Sequence, residues 1–314
     1  MNTVRLFTGS EGDIWGTNMV TNSANDAWAD NLESLLTTLD SSGLKCVFFT
    51  LGDPWGGQLG ISDIRSIMDL TTAKSYIDKL AGNNKLHHNF VTDPRILYWS
   101  VGNEVNIGTA VSSTTATLNS QGTWIIQMCD YIRSKGGKVA VPSPSVNTAI
   151  VDGLTDNTLF KWTEPLLRGH VDYLEYHFYG IWELGRHYSL GNQQYDWTGW
   201  KANMQQILKT MISERGDFSI NNVVIGEFGL WRGTGTDSGL TNWYFSDTNR
   251  RDYYNNMFQA INSAGILNIG FHMSFDEVIS DGSLAYPTMP YPVIDPTGEP
   301  YPYAADIIRQ NFAP

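Results

Sequence analysis

The sequence predicts an α/β protein with one sheet of parallel strands. Short apolar runs rich in β-branched and aromatic residues alternate with segments of helical periodicity, about every 35–45 residues through the 314-residue chain. This alternation is typical of parallel strands joined by helical crossovers. Seven strands are predicted. The fold class is therefore a (β/α)8 TIM-type barrel that lacks its first βα unit, unless an irregular segment fills that place.

The predicted strands are mainly apolar runs, as expected of strands that are covered on both faces. They span residues 3–7, 46–51, 96–105, 138–141, 171–179, 223–227 and 266–273. We find no linker, low-complexity run or charge block between them. Residues 1–314 are therefore expected to form one barrel domain.

The predicted helices are segments whose apolar residues recur at intervals of three and four, as Leu32 and Leu36 do. Gly43, Gly136 and Gly265 each follow such a segment, and glycine ends helices readily because it adopts the left-handed conformation. The helices are expected at 28–39, 70–81, 123–134, 158–167, 200–212, 250–264 and 303–312.

Composition narrows the class of ligand. The chain is 41% hydrophobic and 17% charged, which suits a large folded core. A net charge of −12 argues against a nucleic acid or an anionic membrane surface and fits a neutral ligand. Aromatic residues make up 12% of the chain, and flat rings stack well on the C–H faces of sugars. The alternative is that these rings fill the core.

Cysteine usage and simple motifs exclude several other classes. Cys46 and Cys129 do not make a disulfide framework and are expected to be reduced core residues. No CxxC or HExxH pattern predicts a metal site. No stretch is long enough to span a membrane, and residues 3–7 are predicted as a strand rather than as part of a signal peptide.

Two of the predicted strands end in a carboxylate. Residues 96–105 read ILYWSVGNEV, and residues 222–229 read NVVIGEFG. In a parallel barrel the carboxyl ends of the strands open into one bowl, so Glu104 and Glu227 are expected to face each other there. Glycoside hydrolysis requires two such carboxylates, one to protonate the leaving oxygen and one to attack or stabilise the anomeric carbon.

Four short motifs follow one another along the predicted strands: Val4-Arg5, Asn103-Glu104, His177-x-Tyr179 and Gly226-Glu227-Phe228-Gly229. Their order and spacing resemble glycoside hydrolase family 5, within clan A of retaining (β/α)8 enzymes, across nearly the whole chain. In that family the Val-Arg motif lies on the second barrel strand. The resemblance therefore implies that the first βα unit is missing here, in agreement with the strand count.

The resemblance also implies a role for each residue. Glu104 corresponds to the acid/base and Glu227 to the nucleophile. The guanidinium of Arg5 suits a carboxylate and would steady the charge of Glu227, although a plain structural ion pair is the alternative. The further implied binding residues are Asn103 for the sugar 2-OH, His177 on the acid/base side, and Tyr179 beside the nucleophile. A core histidine is the alternative for His177.

Glu175 shares a strand face with His177. We interpret it as a partner in a buried polar network and not as a third catalytic acid. The last strand departs from the family pattern, because it lacks the tryptophan that floors the central sugar subsite. Phe271, His272 or Phe275 would have to take its place.

Three long loops follow strands at the predicted catalytic face, at 180–199, 230–247 and 276–302. Their aromatic residues, which include Trp182 and Trp231, suggest several sugar subsites and hence a polymer. The alternative is that these rings pack the loops onto the barrel.

The expected function is that of a retaining endo-β-glycanase acting on β-1,4-linked polysaccharide, with cellulose or β-glucan first and mannan close behind. It needs no cofactor, and its partner is the polysaccharide or oligosaccharide substrate. The alternatives are another clan A β-glycosidase, a catalytically silent carbohydrate-binding protein on the same fold, and a metabolic barrel enzyme for a phosphorylated substrate. A homodimer that covers the incomplete barrel edge is a further hypothesis. The resemblance implies secretion, and otherwise the protein is expected in the cytoplasm.

Overall fold

The computed structural model describes residues 3–7, 27–49, 70–101, 115–145, 168–213, 215–230, 233–234, 244–266, 268–269 and 307. The strands are β1 (Thr3–Phe7), β2 (Lys45–Phe49), β3 (Ile96–Ser100), β4 (Val139–Ser145), β5 (Tyr173–His177), β6 (Ser189–Gly191), β7 (Gln194–Tyr195), β8 (Val223–Glu227), β9 (Gly233–Thr234), β10 (Tyr244–Phe245) and β11 (Asn268–Ile269). The α-helices are α1 (Ala27–Ser41), α2 (Leu70–Leu80), α3 (Thr115–Ser134), α4 (Ile181–His187), α5 (Trp197–Ser213) and α6 (Asp247–Ser263). Two 3₁₀ turns span Phe90–Thr92 and Ile220–Asn222.

The main sheet of the described residues has seven strands in the order β1-β2-β3-β4-β5-β8-β11. Neighbouring strands pair in parallel along its whole width. Each predicted strand corresponds to one of these seven, so the expected parallel α/β sheet is confirmed. The four short strands form two antiparallel hairpins, β6–β7 and β9–β10, outside this sheet.

The sheet curls into a barrel. Five strand spacings separate β1 from β8, which would be about 24 Å in a flat sheet. Yet Arg5 on β1 forms ion pairs with Glu227 on β8 and with Glu175 on β5. These contacts require β1 to fold back over the sheet, so the described strands form a curled parallel sheet that is consistent with the predicted incomplete (β/α)8 barrel. The hypothesis that a second copy of the chain covers its edge stays a prediction.

The core has an inner and an outer part. Inside the barrel, Val47, Tyr98, Ala140, Tyr173 and Val224 form an apolar cluster. Two larger clusters lie between the sheet and the helices, one under α1 to α3 and one under α4 to α6. Alternation along the strands separates these surfaces, as expected when both faces of a sheet are buried.

The cysteines lie in the outer core, as predicted. Cys46 and Cys129 are buried free thiols in the cluster under α1 to α3. Burial raises the pKa of the Cys46 thiol to about 12. Both side chains therefore act as small apolar groups.

The described helices correspond to the predicted ones, but α3, α5 and α6 begin earlier than predicted, at residues 115, 197 and 247. Gly43, Gly136 and Gly265 have φ of 74°, 90° and 78°, so they end their helices in the predicted left-handed conformation. Helix α3 begins at Thr115, earlier than the predicted 123, because its first two turns are polar and lack an apolar period. The helix expected at 158–167 lies outside the described residues, as does the one at 303–312 apart from the helical Ile307. None of the helices in the described part of the chain is long and apolar enough to cross a membrane.

The prediction of an irregular loop at 180–199 is wrong. Helix α4 and the hairpin β6–β7 occupy most of this stretch. Ile181 and Leu184 lie three residues apart and are both buried against the outer core, which stabilises a short helix. The helix has seven residues, too few to show a repeating apolar pattern.

An ion-pair network lies just before β3, at the amino end of the barrel. Arg95 donates to both oxygens of Glu33 at 2.7 Å, and its Nε and Nη2 donate to Asp93 at 2.9 and 2.6 Å. His88 Nε2 lies 2.7 Å from Asp93. Burial alone would raise the pKa of Asp93, but the bonds from Arg95 and His88 outweigh it and lower that pKa to about 2. Asp93 therefore stabilises the fold in its ionised form.

We expect the substitution Asp93→Asn to lower the free energy of unfolding by about 2.5 kcal/mol at pH 7. This is the free energy that corresponds to the lowering of the Asp93 pKa on folding. Because the pKa is lower in the folded state, this contribution is fully present above about pH 4. It is lost as the pH falls through about 2. Urea denaturation of both proteins at pH 7 and pH 2.5 measures the difference.

Asp217→Asn is the matched control. Asp217 also pairs with an arginine, Arg168, but its side chain is 91% exposed. Exposed pairs contribute little, so this change should stay within about 0.5 kcal/mol at both pH values. Equal stability of the Asp93→Asn protein and the original at pH 7 would contradict the assignment.

Candidate active site

A β-bulge turns Glu227 into the barrel. Val223 and Ile225 of β8 pack against the outer core, so strict alternation would point Glu227 toward the helices as well. However, Ile225 pairs with Tyr176 and Glu227 pairs with His177, which leaves Gly226 as an extra residue in β8. Such a bulge re-aims the side chains that follow it. Glu227 consequently shares the interior of the barrel with His177.

Three donors surround the carboxylate of the buried residue Glu227. Arg5 Nη1 donates to Oε1. The Tyr179 hydroxyl donates to Oε2 at 2.7 Å, and His177 Nδ1 lies 3.3 Å from the same oxygen. Charge-assisted bonds of this kind stabilise the ionised form of a buried carboxylate. The surroundings therefore suit a group that must carry a negative charge.

Glu175 lies deeper in the barrel and is fully buried. Its Oε1 is 3.2 Å from Arg5 Nε and 3.5 Å from His177 Nε2, and its Oε2 accepts a bond of 2.6 Å from the Ser100 hydroxyl. Burial acts to raise the pKa of Glu175, but Arg5 and His177 at ion-pair distance and the bond from Ser100 hold it below its ordinary value. Glu175 thus belongs to a buried polar network, in agreement with its interpretation from the sequence.

Two further residues complete this network. Tyr98 belongs to the apolar cluster inside the barrel. Burial and the charge of Glu175 raise the pKa of its hydroxyl well above the ordinary value. Gly226 leaves room for the Glu175 side chain, because a Cβ there would lie 2.6 Å from Cγ and 2.8 Å from Cδ of Glu175. Sequence reasoning missed Ser100 and the spatial role of Gly226. The signal for Ser100 is that it lies two residues after Tyr98 and so shares its inward face.

The structure brings together four of the sequence-predicted residues: Arg5, His177, Tyr179 and Glu227. His177 lies between two carboxylates, Glu175 and Glu227. The other predicted site residues fall outside the described side chains. They are Asn103, Glu104, Trp231 and His272, together with Trp182, whose backbone lies in α4.

One group of described residues has ligand atoms close enough for a metal ion. Glu33, His88 and Asp93 have such atoms within 4.8 Å of one another. Arg95 already bonds to both carboxylates of this group. This group of three residues also lies at the amino end of β3. Residues at that end of a barrel usually serve stability, which favours an ion-pair network over a metal centre.

We expect Gly226→Ala to lower the free energy of unfolding by about 2 kcal/mol, because the added methyl group overlaps the Glu175 side chain. Glu175→Ala removes the obstacle, so the double variant should be less destabilised than the sum of the two single changes. A double-mutant cycle by urea denaturation measures this coupling. Additive changes would show that the two side chains do not share the space.

Comparison with known proteins supports the fold. No family model matches the chain, and no curated protein matches it in sequence. Solved structures do match. An endo-β-1,4-mannanase from Thermotoga petrophila aligns with 99% of this chain and 70% of its own, at 16% identity and a TM-score of 0.64. A GH5_18 protein from Streptomyces cattleya, crystallised with Manβ1-4GlcNAc, aligns with 100% of this chain and 73% of its own, at 13% identity and a TM-score of 0.67.

A xylanase from Cellvibrio japonicus aligns with 99% of this chain and 97% of its own, at 14% identity and a TM-score of 0.58. These structures come from glycoside hydrolase families 5 and 10, which both belong to clan A. The chain therefore shares the TIM-barrel fold of these solved structures.

Proposed function

We propose that the protein is a retaining β-glycanase in which Glu227 is the nucleophile and Glu104 the acid/base. The observation that carries the proposal is the setting of Glu227. It is a buried carboxylate at the carboxyl end of a barrel strand, held by a guanidinium, a phenol and an imidazole. A nucleophile that must stay ionised away from bulk water needs such donors.

The reaction follows from these roles in two displacements. An oxygen of Glu227 attacks the anomeric carbon while the bond to the leaving oxygen breaks and Glu104 gives that oxygen its proton. Glu104 then takes a proton from water, which attacks the same carbon and releases Glu227 as a carboxylate. Both steps invert the anomeric carbon, so the product keeps the β configuration. Arg5 and Tyr179 orient the Glu227 carboxylate before the first step and stabilise its negative charge again after the second.

The proposed substrate is a β-1,4-linked polysaccharide, with glucan and mannan as the two candidates. Support for the linkage comes from the solved structures of the same fold, whose names describe an endo-β-1,4-mannanase and a complex with Manβ1-4GlcNAc. The negative net charge of −12 fits a neutral polymer. Hydrolysis of soluble β-1,4-glucan, β-mannan and xylan by the purified protein compares the candidates directly.

We expect Glu227→Ala to reduce kcat by at least about 10⁴-fold, because no group remains to form the glycosyl-enzyme. Added azide should restore turnover of an activated aryl β-glycoside. The azide attacks the anomeric carbon from the side that the Glu227 carboxylate has vacated, and this single inversion gives the α-glycosyl azide. NMR of the product identifies the anomer. A β-glycosyl azide would instead assign Glu227 as the acid/base.

Asp93→Asn is the control for this experiment, because it removes a buried carboxylate at the opposite end of the barrel. It should leave kcat unchanged below its melting temperature. If the wild-type protein binds these polymers without hydrolysing them, the enzyme proposal is wrong and the carbohydrate-binding alternative holds.

We expect Tyr179→Phe to reduce kcat by about 10- to 100-fold with little change in KM, because one charge-assisted bond to Glu227 is lost. Tyr253→Phe is the matched control. Its buried hydroxyl donates at 2.6 Å to the main-chain carbonyl of Tyr179 and not to a carboxylate. It should lower stability by about 1 kcal/mol and change kcat less than 3-fold. Equal losses of kcat in the two variants would contradict the role of the Tyr179 hydroxyl.

A further inference from the structure

Arg5 and His177 each lie between the same two buried carboxylates. Arg5 presents Nη1 to Glu227 and Nε to Glu175, at 3.2 Å for the latter. His177 presents Nδ1 to Glu227 at 3.3 Å and Nε2 to Glu175 at 3.5 Å. The four side chains therefore form a closed ring of contacts in which a nitrogen-bearing group and a carboxylate alternate.

The ring is buried, so its charges depend on one another. The side chains of Arg5, Glu175 and His177 are at most 1% exposed, and that of Glu227 is 4% exposed. Charges in such surroundings interact strongly, and an unpaired one is costly. A change in Glu175 must therefore alter how Arg5 and His177 meet Glu227.

Glu175 is placed too deep to touch a sugar. It precedes His177 by two residues on β5, which puts it about 7 Å farther from the open end of the barrel. Gly226 covers its side chain, Ser100 bonds to its Oε2, and its exposure is 0%. Any effect of Glu175 on the reaction must act through its neighbours.

We propose that Glu175 is a positioning residue for the reaction: its buried carboxylate orients Arg5 and His177 toward the Glu227 nucleophile. The proposal rests on the proposed function of Glu227. It adds that a second carboxylate, outside the reacting pair, sets the direction of both donors from the inside of the barrel. The ring of contacts and the depth of Glu175 carry it.

The test is Glu175→Gln, which keeps the size of the side chain and removes its charge. We expect kcat to fall by about 10- to 100-fold while KM stays within about 3-fold, because the misplaced donors act on the nucleophile and not on sugar binding. A purely structural role would lower the melting temperature and leave kcat unchanged in the folded protein.

The pH profile gives a second measure of the same variant. The groups that face Glu175 are Arg5 from β1, Tyr98 and Ser100 from β3, His177 on its own strand and Glu227 from β8. Loss of its negative charge removes a like charge from the neighbourhood of Glu227 and so favours the ionised nucleophile. The acidic limb of kcat/KM should therefore move to lower pH. An unmoved limb together with an unchanged kcat overturns the proposal.

Ser100→Ala is the second variant, in case Glu175→Gln does not fold. It leaves the charge in place and removes the bond to Oε2, so we expect a smaller loss of kcat, about 3- to 10-fold, again without a change in KM. Asp93→Asn is the control, because it also removes the charge of a buried carboxylate that an arginine binds. It should be less stable and fully active. Unchanged kcat in folded Ser100→Ala counts against the proposal.

One measurement does not depend on hydrolysis. In ¹⁵N spectra of the histidine rings, assigned with a His177→Gln protein, the His177 signals should move in Glu175→Gln and stay in Asp93→Asn. If the wild-type protein hydrolyses no β-glycan, the proposed function fails and these spectra still test the positioning. Unmoved His177 signals would overturn the positioning whether or not the protein is an enzyme.

Discussion

The ion pairs of Arg5 hold the barrel interior together. Arg5 comes from the first described strand, yet it meets carboxylates on β5 and β8, on the far side of the curled sheet. Two buried carboxylates without a cation would be costly in a medium of low dielectric constant. The guanidinium is suited to serve both, since its nitrogens point in different directions and it stays charged at all working pH values. The position of β1 therefore determines whether the two carboxylates of the site can both stay ionised.

The bulge in β8 solves a second geometric problem. A carboxylate at the end of a buried parallel strand can point to the helices or to the barrel interior, and strict alternation along β8 would send Glu227 to the helices. Inserting Gly226 reverses that choice, and the absence of a Cβ at the same position leaves space for Glu175. One residue thus sets the direction of Glu227 and allows the carboxylate behind it.

The strands could be predicted because buried parallel strands are apolar on both faces, as Val223–Glu227 illustrates. The cluster of Arg5, His177, Tyr179 and Glu227 followed from motif order, since equivalent strand ends meet in a barrel. Helix α4 was missed because seven residues cannot show a helical period. The bulge was missed because hydrogen-bond register, and not composition, decides which residue is extra. The bond from Ser100 joins residues 75 positions apart, and a lone serine in an apolar strand gives no sign of its partner.

Two arginine networks in the described part of the barrel use the same chemistry for different purposes. Arg95 binds each of its carboxylates through two bonds, and the network lies where α1 meets the amino end of β3. That arrangement ties elements together and leaves the carboxylates little freedom. The two oxygens of Glu227 are instead held from different sides, Oε1 by Arg5 on β1 and Oε2 by His177 and Tyr179 at the end of β5.

Donors that converge from separate strands fix the direction of a carboxylate before any substrate binds, which is the preorganisation that electrostatic catalysis requires. Because the carboxyl ends of the strands form the open face of a barrel, a carboxylate fixed there is available to a ligand. One at the amino end, such as Asp93, lies away from that face and stabilises the fold in its ionised form. Position in the barrel, more than the identity of the partners, therefore separates a structural ion pair from a candidate nucleophile.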